Sequence, residues 1–143
     1  MSDLRVLLVD DEVDFVEVLA DRLEARGLAV VTAASGEEAL SSAKVRTFDA
    51  IVLDMAMPGM DGLETLEGLL EINPDLQVIL LTGRATLEQA ATAIRIGALD
   101  LLEKPAEIDT LVQKIEKAAT KRWSLEEKRI EERVSEIIRK KGW

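Results

Sequence analysis

The residues of this chain best suited to chemistry are three aspartates, a threonine and a lysine, each at the end of an apolar run. Asp10 and Asp11 follow the first run, Asp54 ends the third, Thr82 follows the fourth, and Lys104 comes after the fifth. If these runs are parallel strands of one sheet, their carboxyl ends share an edge and the three carboxylates converge there. Such a cluster repels itself, because two unit charges about 4 Å apart cost on the order of 4 kcal/mol at an effective dielectric of about 20.

A divalent cation is the natural way to offset that repulsion. Mg²⁺ fits best because it takes one or two carboxylates, retains waters and shares its shell with a phosphoryl oxygen. A calcium loop is not indicated, since the regularly spaced acidic ligands and the closing glutamate are missing. Asp11 taken alone is explained equally well as a helix cap. With Asp10, Asp54 and Lys104 at the same edge, we predict a Mg²⁺ site.

Asp54 is the candidate nucleophile of this site. It ends an apolar strand pattern, and the Pro58-Gly59 pair that follows favours a shaped loop over an immediate helix. A carboxylate in this position can attack phosphorus and form an aspartyl phosphate. The metal and Lys104 would stabilise the charge that spreads over the equatorial oxygens during transfer. The hydroxyl of Thr82 can donate one hydrogen bond to a phosphoryl oxygen, although alone it would be a turn residue.

The elements that must position these residues alternate between apolar runs and helical patterns. The runs are short and rich in Val, Ile and Leu, as expected for parallel strands buried on both faces. They predict an α/β fold: a doubly wound, five-stranded parallel sheet in the flavodoxin-like order 2-1-3-4-5. Capping patterns mark helix starts at Ser35 and Thr86, and glycines mark helix ends at Gly27 and Gly97. The five runs are Leu4–Val9, Leu28–Ala33, Ala50–Leu53, Leu76–Leu81 and Ala98–Leu102.

We divide the chain into a main domain, residues 1–119, and a charged helical extension, residues 120–143. The pattern places the fifth helix at about Ile108–Ala119; either Ser124 and Glu127 cap a further helix, or the fifth helix continues. The extension has a coiled-coil-like spacing that suits a homodimer, a helix packed back on the domain, or a linker to an output domain. This seam consists of Trp123, Glu127, Ile130, Val134, Ile137 and Lys141.

Composition excludes several classes of site. The 143 residues contain no cysteine and no histidine, so disulfides, thiolate chemistry and histidine catalysis are ruled out. The net charge is −10, and because residues 120–143 carry +3, the main domain carries −13. A body this acidic disfavours direct nucleic-acid binding.

Neither a secretory signal nor a membrane-spanning run is present, so we expect a cytoplasmic chain without membrane contact.

The motifs together resemble the receiver domain of two-component response regulators, over about residues 3–119. By this resemblance, Asp54 is the phosphoacceptor, Lys104 pairs with the phosphoryl group, and Thr82 swings toward it. The donor is a phosphohistidine on a sensor histidine kinase or a histidine phosphotransfer protein. Such a domain is a signalling protein and not a turnover enzyme, although it assists its own phosphorylation and slow dephosphorylation. The motifs are Asp10-Asp11, DMAMPGMDG from Asp54, TG from Thr82, and GALDLLEKP ending in Lys104-Pro105.

The resemblance also implies the metal ligands. Asp11, Asp54 and the backbone carbonyl of Ala56 would bind Mg²⁺ directly, and Asp10 would support it through water. Ala56 argues against an aspartate-based phosphatase, which carries a second acid at that position. Asp10-Asp11-Glu12 after the first strand disfavours a flavin phosphate site, and a P-loop is absent from the sequence.

Two positions depart from the family pattern. Leu101 stands where the family usually has an aromatic switch residue in strand five, and Ala106 follows the Lys-Pro pair where Phe is common. We therefore expect phosphorylation chemistry with an altered switch, and output through contact with a downstream protein. The resemblance also places Ala56 and Arg84 at positions that tune phosphate lifetime. The strongest rival is a phosphorylation-independent binding or dimerisation module.

Overall fold

The computed structural model describes residues 4–57, 59–83 and 86–142. Five parallel strands form one sheet in the order β2-β1-β3-β4-β5, which confirms the predicted fold. Reversal of the strand order at β1 and β3 creates the crevice where α/β sheets place their sites. The strands are β1 (Arg5–Val9), β2 (Ala29–Ala33), β3 (Ala50–Asp54), β4 (Val78–Thr82) and β5 (Asp100–Glu103).

Helices cover both faces of the sheet. Successive strand residues point to opposite faces, so Leu7 joins a core under α2, α3 and α4, whereas Leu8 joins a core under α1 and α5. Because β1, β3 and β4 are buried on both faces, their sequences read as continuous apolar runs. The helices are α1 (Val13–Ala25), α2 (Gly36–Val45), α3 (Gly62–Ile72), α4 (Leu87–Ile96) and α5 (Ile108–Lys141).

The predicted helix signals are found where the sequence places them. The side chain of Ser35 accepts from the backbone of Glu38 at the start of α2, and Thr86 forms a complete capping box with Gln89. The glycines after α1 and α4 adopt positive φ angles, 88° at Gly27 and 130° at Gly97, which a residue with a Cβ rarely adopts. These stops let the chain turn directly into β2 and β5.

The strand ends shift by one or two residues from the apolar runs, and of the two outcomes left open after the fifth helix, the structure confirms its continuation. α5 does not stop at Ala119 but continues as one helix of 34 residues to Lys141. Ser124 and Glu127 therefore lie inside a helix and do not cap a new one. Through the described part of the chain, every helix is too short or too polar to cross a membrane.

The extension of α5 is held against the edge of the sheet opposite to the aspartate cluster. Arg122 Nη1 and Trp123 Nε1 donate to Asp49 Oδ1 at 3.1 and 3.3 Å, just before β3. Two turns later the guanidinium of Arg129 makes a bidentate contact with the carboxylate of Asp75. Its Nε donates to Oδ2, and its Nη2 donates to Oδ1 at 2.8 Å. Asp49 and Asp75 precede neighbouring strands of the sheet, so this double contact fixes the direction in which the helix leaves the domain.

The coiled-coil-like seam remains exposed beside this contact. The seam begins with Trp123, which contacts Asp49, but it runs about 100° around the helix from Arg122 and Arg129. Its apolar members are substantially exposed, from 42% for Ile137 to 59% for Ile130. Beyond Trp123, the structure thus presents the apolar residues of the seam outward.

We expect Arg129→Gln to loosen the extension, because a short charged helix is marginal once its tertiary contact is lost. Hydrogen-exchange mass spectrometry should show faster exchange across residues 123–141. The Arg129 hydrogen bond holds the pKa of Asp75 below its ordinary value of 3.8. The contact is therefore complete above that value, and it is lost as the pH falls through the lower folded-state pKa.

Arg133→Gln is the matched control for this prediction. Arg133 lies one turn further along α5 and, within the described ranges, makes no ion pair. Equal exchange in the two variants would show that the Arg129–Asp75 contact does not hold the helix.

Candidate functional site

Three aspartates gather beyond the carboxyl ends of β1 and β3, as the sequence predicts. Asp10, Asp11 and Asp54 each bring one carboxylate oxygen within 4.8 Å of the others. Asp10 and Asp54 are almost completely buried, with exposed fractions of 2% and 4%. Their proximity follows from the register of the sheet, in which Val9 of β1 lies opposite Leu53 of β3.

Lys104 supplies the positive charge at the centre of this cluster. Its Nζ lies 2.9 Å from Asp10 Oδ2, 3.3 Å from Asp54 Oδ1 and 3.5 Å from Glu12 Oε1. The backbone of Lys104 is fixed by its amide, which donates to the carbonyl of Thr82 at 2.7 Å. The Lys104-Pro105 peptide bond is cis. The distances to Asp10 and Asp54 show that the ammonium bridges these two buried carboxylates.

Burial and charge alter the pKa of both central groups. Burial raises the pKa of Asp54, the neighbouring charge of Asp10 raises it further, and Lys104 and the backbone amide of Ala56 offset only part of this. Burial by itself would lower the pKa of Lys104. The hydrogen bond to Asp10 and the charges of Asp54 and Asp10 outweigh it, so that pKa rises. Lys104 therefore favours its protonated form, and the carboxylate of Asp54 is more basic than that of an ordinary aspartate.

The loop after β3 keeps its backbone close to Asp54. The amide of Gly62 donates to the carbonyl of Met55 at 3.0 Å, which closes the loop on itself. A Cβ at Gly62 would lie 2.5 Å from the Cα of Met55, so only glycine allows this approach. Asp61 and Glu64 then form a capping box that starts α3. This loop also carries Ala56, the predicted carbonyl ligand, directly beside Asp54.

The structure places the two predicted switch residues, Thr82 and Leu101, on different strands. Thr82 ends β4, the strand next to β3, and is 5% exposed. Leu101 is not part of the cluster: it lies on β5 and packs against the core under α2, α3 and α4. Arg84 lies outside the described residues.

Two residues near Lys104 were missed by the sequence analysis. Glu12 directly follows the aspartate pair and reaches Lys104 with an exposed side chain. Phe15 lies one turn into α1, and the Lys104 ammonium sits 4.4 Å from the centre of its ring. Phe15 follows Asp11 by four residues, a helical spacing that would have placed it on the face of α1 nearest the site, whereas Glu12 is the residue that precedes α1.

Comparison with known proteins identifies the class to which this fold and site belong. A family model described as the response regulator receiver domain matches residues 6–116. The chain belongs to that family.

The similarity is clear in both sequence and structure. The transcriptional regulatory protein ZraR of Escherichia coli O157:H7 is 36% identical over 117 residues, which cover 82% of this chain and 26% of that protein. The chain thus spans about a quarter of the length of this curated relative. The CheY-like receiver domain protein of Methanospirillum hungatei JF-1 superposes with a TM-score of 0.81 at 29% identity, covering 86% of this chain and 98% of that one.

A second solved structure, a response regulator of Burkholderia pseudomallei, contains a phosphorylated aspartic acid and a calcium ion. It superposes with a TM-score of 0.75 at 28% identity, covering 98% of this chain and 86% of that one.

Proposed function

We propose that this chain accepts a phosphoryl group on Asp54 from a phosphohistidine in a Mg²⁺-dependent reaction. The observation that carries the proposal is the buried Asp54 carboxylate, gathered with Asp10 and Asp11 and contacted by Lys104 at 3.3 Å. This arrangement places a nucleophile, an acidic cluster and a cation at one point. The phosphorylated aspartic acid of the Burkholderia pseudomallei protein supports the same chemistry here.

The acidic cluster fits Mg²⁺ because three carboxylates offer hard oxygen ligands within 4.8 Å of one another. We assign direct ligation to Asp11, Asp54 and the carbonyl of Ala56, with Asp10 acting through water. The ion would neutralise charge on the phosphoryl oxygens during transfer.

The transfer itself is an in-line displacement. An Asp54 carboxylate oxygen forms a bond to phosphorus as the P–N bond to the donor imidazole breaks, and the imidazole retains the electron pair and is protonated. Lys104 lies close enough to contact the phosphoryl oxygens, and the hydroxyl of Thr82 donates a hydrogen bond to one of them. Slow hydrolysis of the acyl phosphate returns the domain to its resting state, so the chain acts as a signalling domain and not as a turnover enzyme.

The donor we propose is a sensor histidine kinase or a histidine phosphotransfer protein, and the compartment is the cytoplasm, where such kinases use ATP. Phosphorylation adds up to about two negative charges at the sheet edge. Thr82 and Leu101 are the residues we expect to respond, and a downstream protein reads the change. The charge of −13 on residues 1–119 argues against nucleic acid as that target.

As an additional proposal, the chain forms a homodimer through the exposed seam of α5. Light scattering of the full chain would measure the mass of the particle and so test this proposal. A phosphorylation-independent binding module remains the alternative function, favoured by Leu101 in place of the family's aromatic switch.

A phosphorylation experiment tests the main proposal. Incubation with acetyl phosphate and Mg²⁺ should add one phosphoryl group by intact mass, and a chelator should prevent it. Asp11→Asn should slow labelling by about tenfold or more because it removes a metal ligand. Asp14→Asn, an exposed aspartate three residues further on, is the matched control. An unlabelled wild-type chain would favour the binding module.

A further inference from the structure

We infer that Phe15 is a positioning residue for Lys104: the face of its ring holds the ammonium toward Asp54 throughout the phosphorylation cycle. Lys104 Nζ lies 4.4 Å from the ring centre, within the distance at which an aromatic face attracts a cation. The Lys104 side chain is 17% exposed. Partial burial strengthens this attraction relative to a fully solvated pair.

The ring adds an aromatic contact to an ammonium that already lies near three carboxylates. An ammonium group has three protons, and Asp10, Asp54 and Glu12 lie within 3.5 Å of Nζ. Phe15 itself is held in place because it packs against the core under α1 and α5. The lysine side chain has four carbons joined by rotatable bonds. A fixed aromatic surface therefore restricts the positions that its ammonium can occupy.

This positioning role rests on the proposed phosphotransfer, and its importance grows during that reaction. When Asp10, Asp11 and Asp54 bind a metal, and Asp54 then carries a phosphoryl group, the attraction of these carboxylates for Lys104 changes. The face of Phe15 carries no ionisable group, so its attraction for Lys104 does not change. Phe15 therefore keeps the same chemical form before and after transfer, as does Glu12, but Glu12 is 67% exposed whereas Phe15 is held by packing against the core.

The contact has a signature that can be measured without phosphorylation. Methylene protons next to a group over a ring face are shifted upfield by the ring current, so the Lys104 Hε resonances of the metal-free chain should be upfield of those of other lysines. Phe15→Leu should remove this shift while keeping an apolar side chain, and Phe15→Trp should restore it. Lys104→Met assigns the signal by deleting it.

The kinetic consequence is measured with acetyl phosphate at saturating Mg²⁺. Phe15→Leu should slow labelling by about threefold or more, and Phe15→Trp should recover most of the rate. A normal Lys104 resonance in wild type, or equal rates in wild type and Phe15→Leu, would overturn the inference and leave Phe15 as packing alone. Failure of phosphotransfer itself would instead show as no labelling of any variant, and the resonance test would still decide the position of Lys104.

Discussion

Asp54→Asn is expected to abolish incorporation of phosphate from acetyl phosphate, measured by intact-mass spectrometry over a time course with Mg²⁺. The amide has nearly the same size but lacks the negative oxygen that attacks phosphorus. The variant should also fold. Burial and the charge of Asp10 raise the pKa of Asp54, which means that its ionised form costs stability above the ordinary pKa. Removing that charge should leave the melting temperature of the metal-free protein unchanged or higher.

The matched control is Asp21→Asn, on the exposed surface of α1, which should label at the wild-type rate. Labelling of Asp54→Asn at the wild-type rate would mean that another carboxylate is the nucleophile. Asp10 and Asp11 are the nearest candidates. A fall in melting temperature together with loss of label would mean instead that the substitution unfolds the site.

Lys104→Met is expected to destabilise the metal-free protein by about 3 kcal/mol, the lower end of the range for breaking a buried ion pair. The reason is that Asp10, whose side chain is 1% exposed, would lose its cation and lie unpaired beside Asp54. Urea unfolding measures the loss. Because the variant lacks a competing cation, Mg²⁺ should stabilise it more than it stabilises wild type. Phosphorylation should nevertheless slow, since no ammonium would face the phosphoryl oxygens.

Lys44→Met controls for the general effect of removing a lysine. Lys44 is exposed near the end of α2 and makes no ion pair within the residues that the structure covers. Wild-type stability in Lys104→Met would contradict the ion-pair assignment, and equal stabilisation by Mg²⁺ in both proteins would contradict competition between Lys104 and the metal.

Much of the fold and the core of the candidate site follow from local sequence. Continuous apolar runs separated by helical patterns lead to a parallel sheet, because a strand buried on both faces must be apolar throughout. Once the order 2-1-3-4-5 is assumed, the ends of β1 and β3 must be neighbours. Asp10, Asp11 and Asp54 are therefore brought together by topology, without any knowledge of their side-chain conformations.

The sequence analysis left two outcomes open after the fifth helix, because local sequence does not decide between them. The capping pattern at Ser124 and Glu127 was a valid local signal, but a helix continues through such residues when its geometry is supported elsewhere. Here Leu111 and Ile115 anchor the first half of α5 in the core, while Arg129 pairs with Asp75, 54 residues away. No local pattern encodes that support.

The sequence by itself determined the strands and, once the flavodoxin-like order was assumed, the convergence of three carboxylates, since these depend on the periodicity of apolar residues and on the geometry of parallel sheets. Only the tertiary structure decided which partners Lys104 takes, how Phe15 lies beside it, and where the extension of α5 points. Those features join side chains as much as 94 residues apart in the chain. Their pairing depends on distances and burial that arise only when the elements pack.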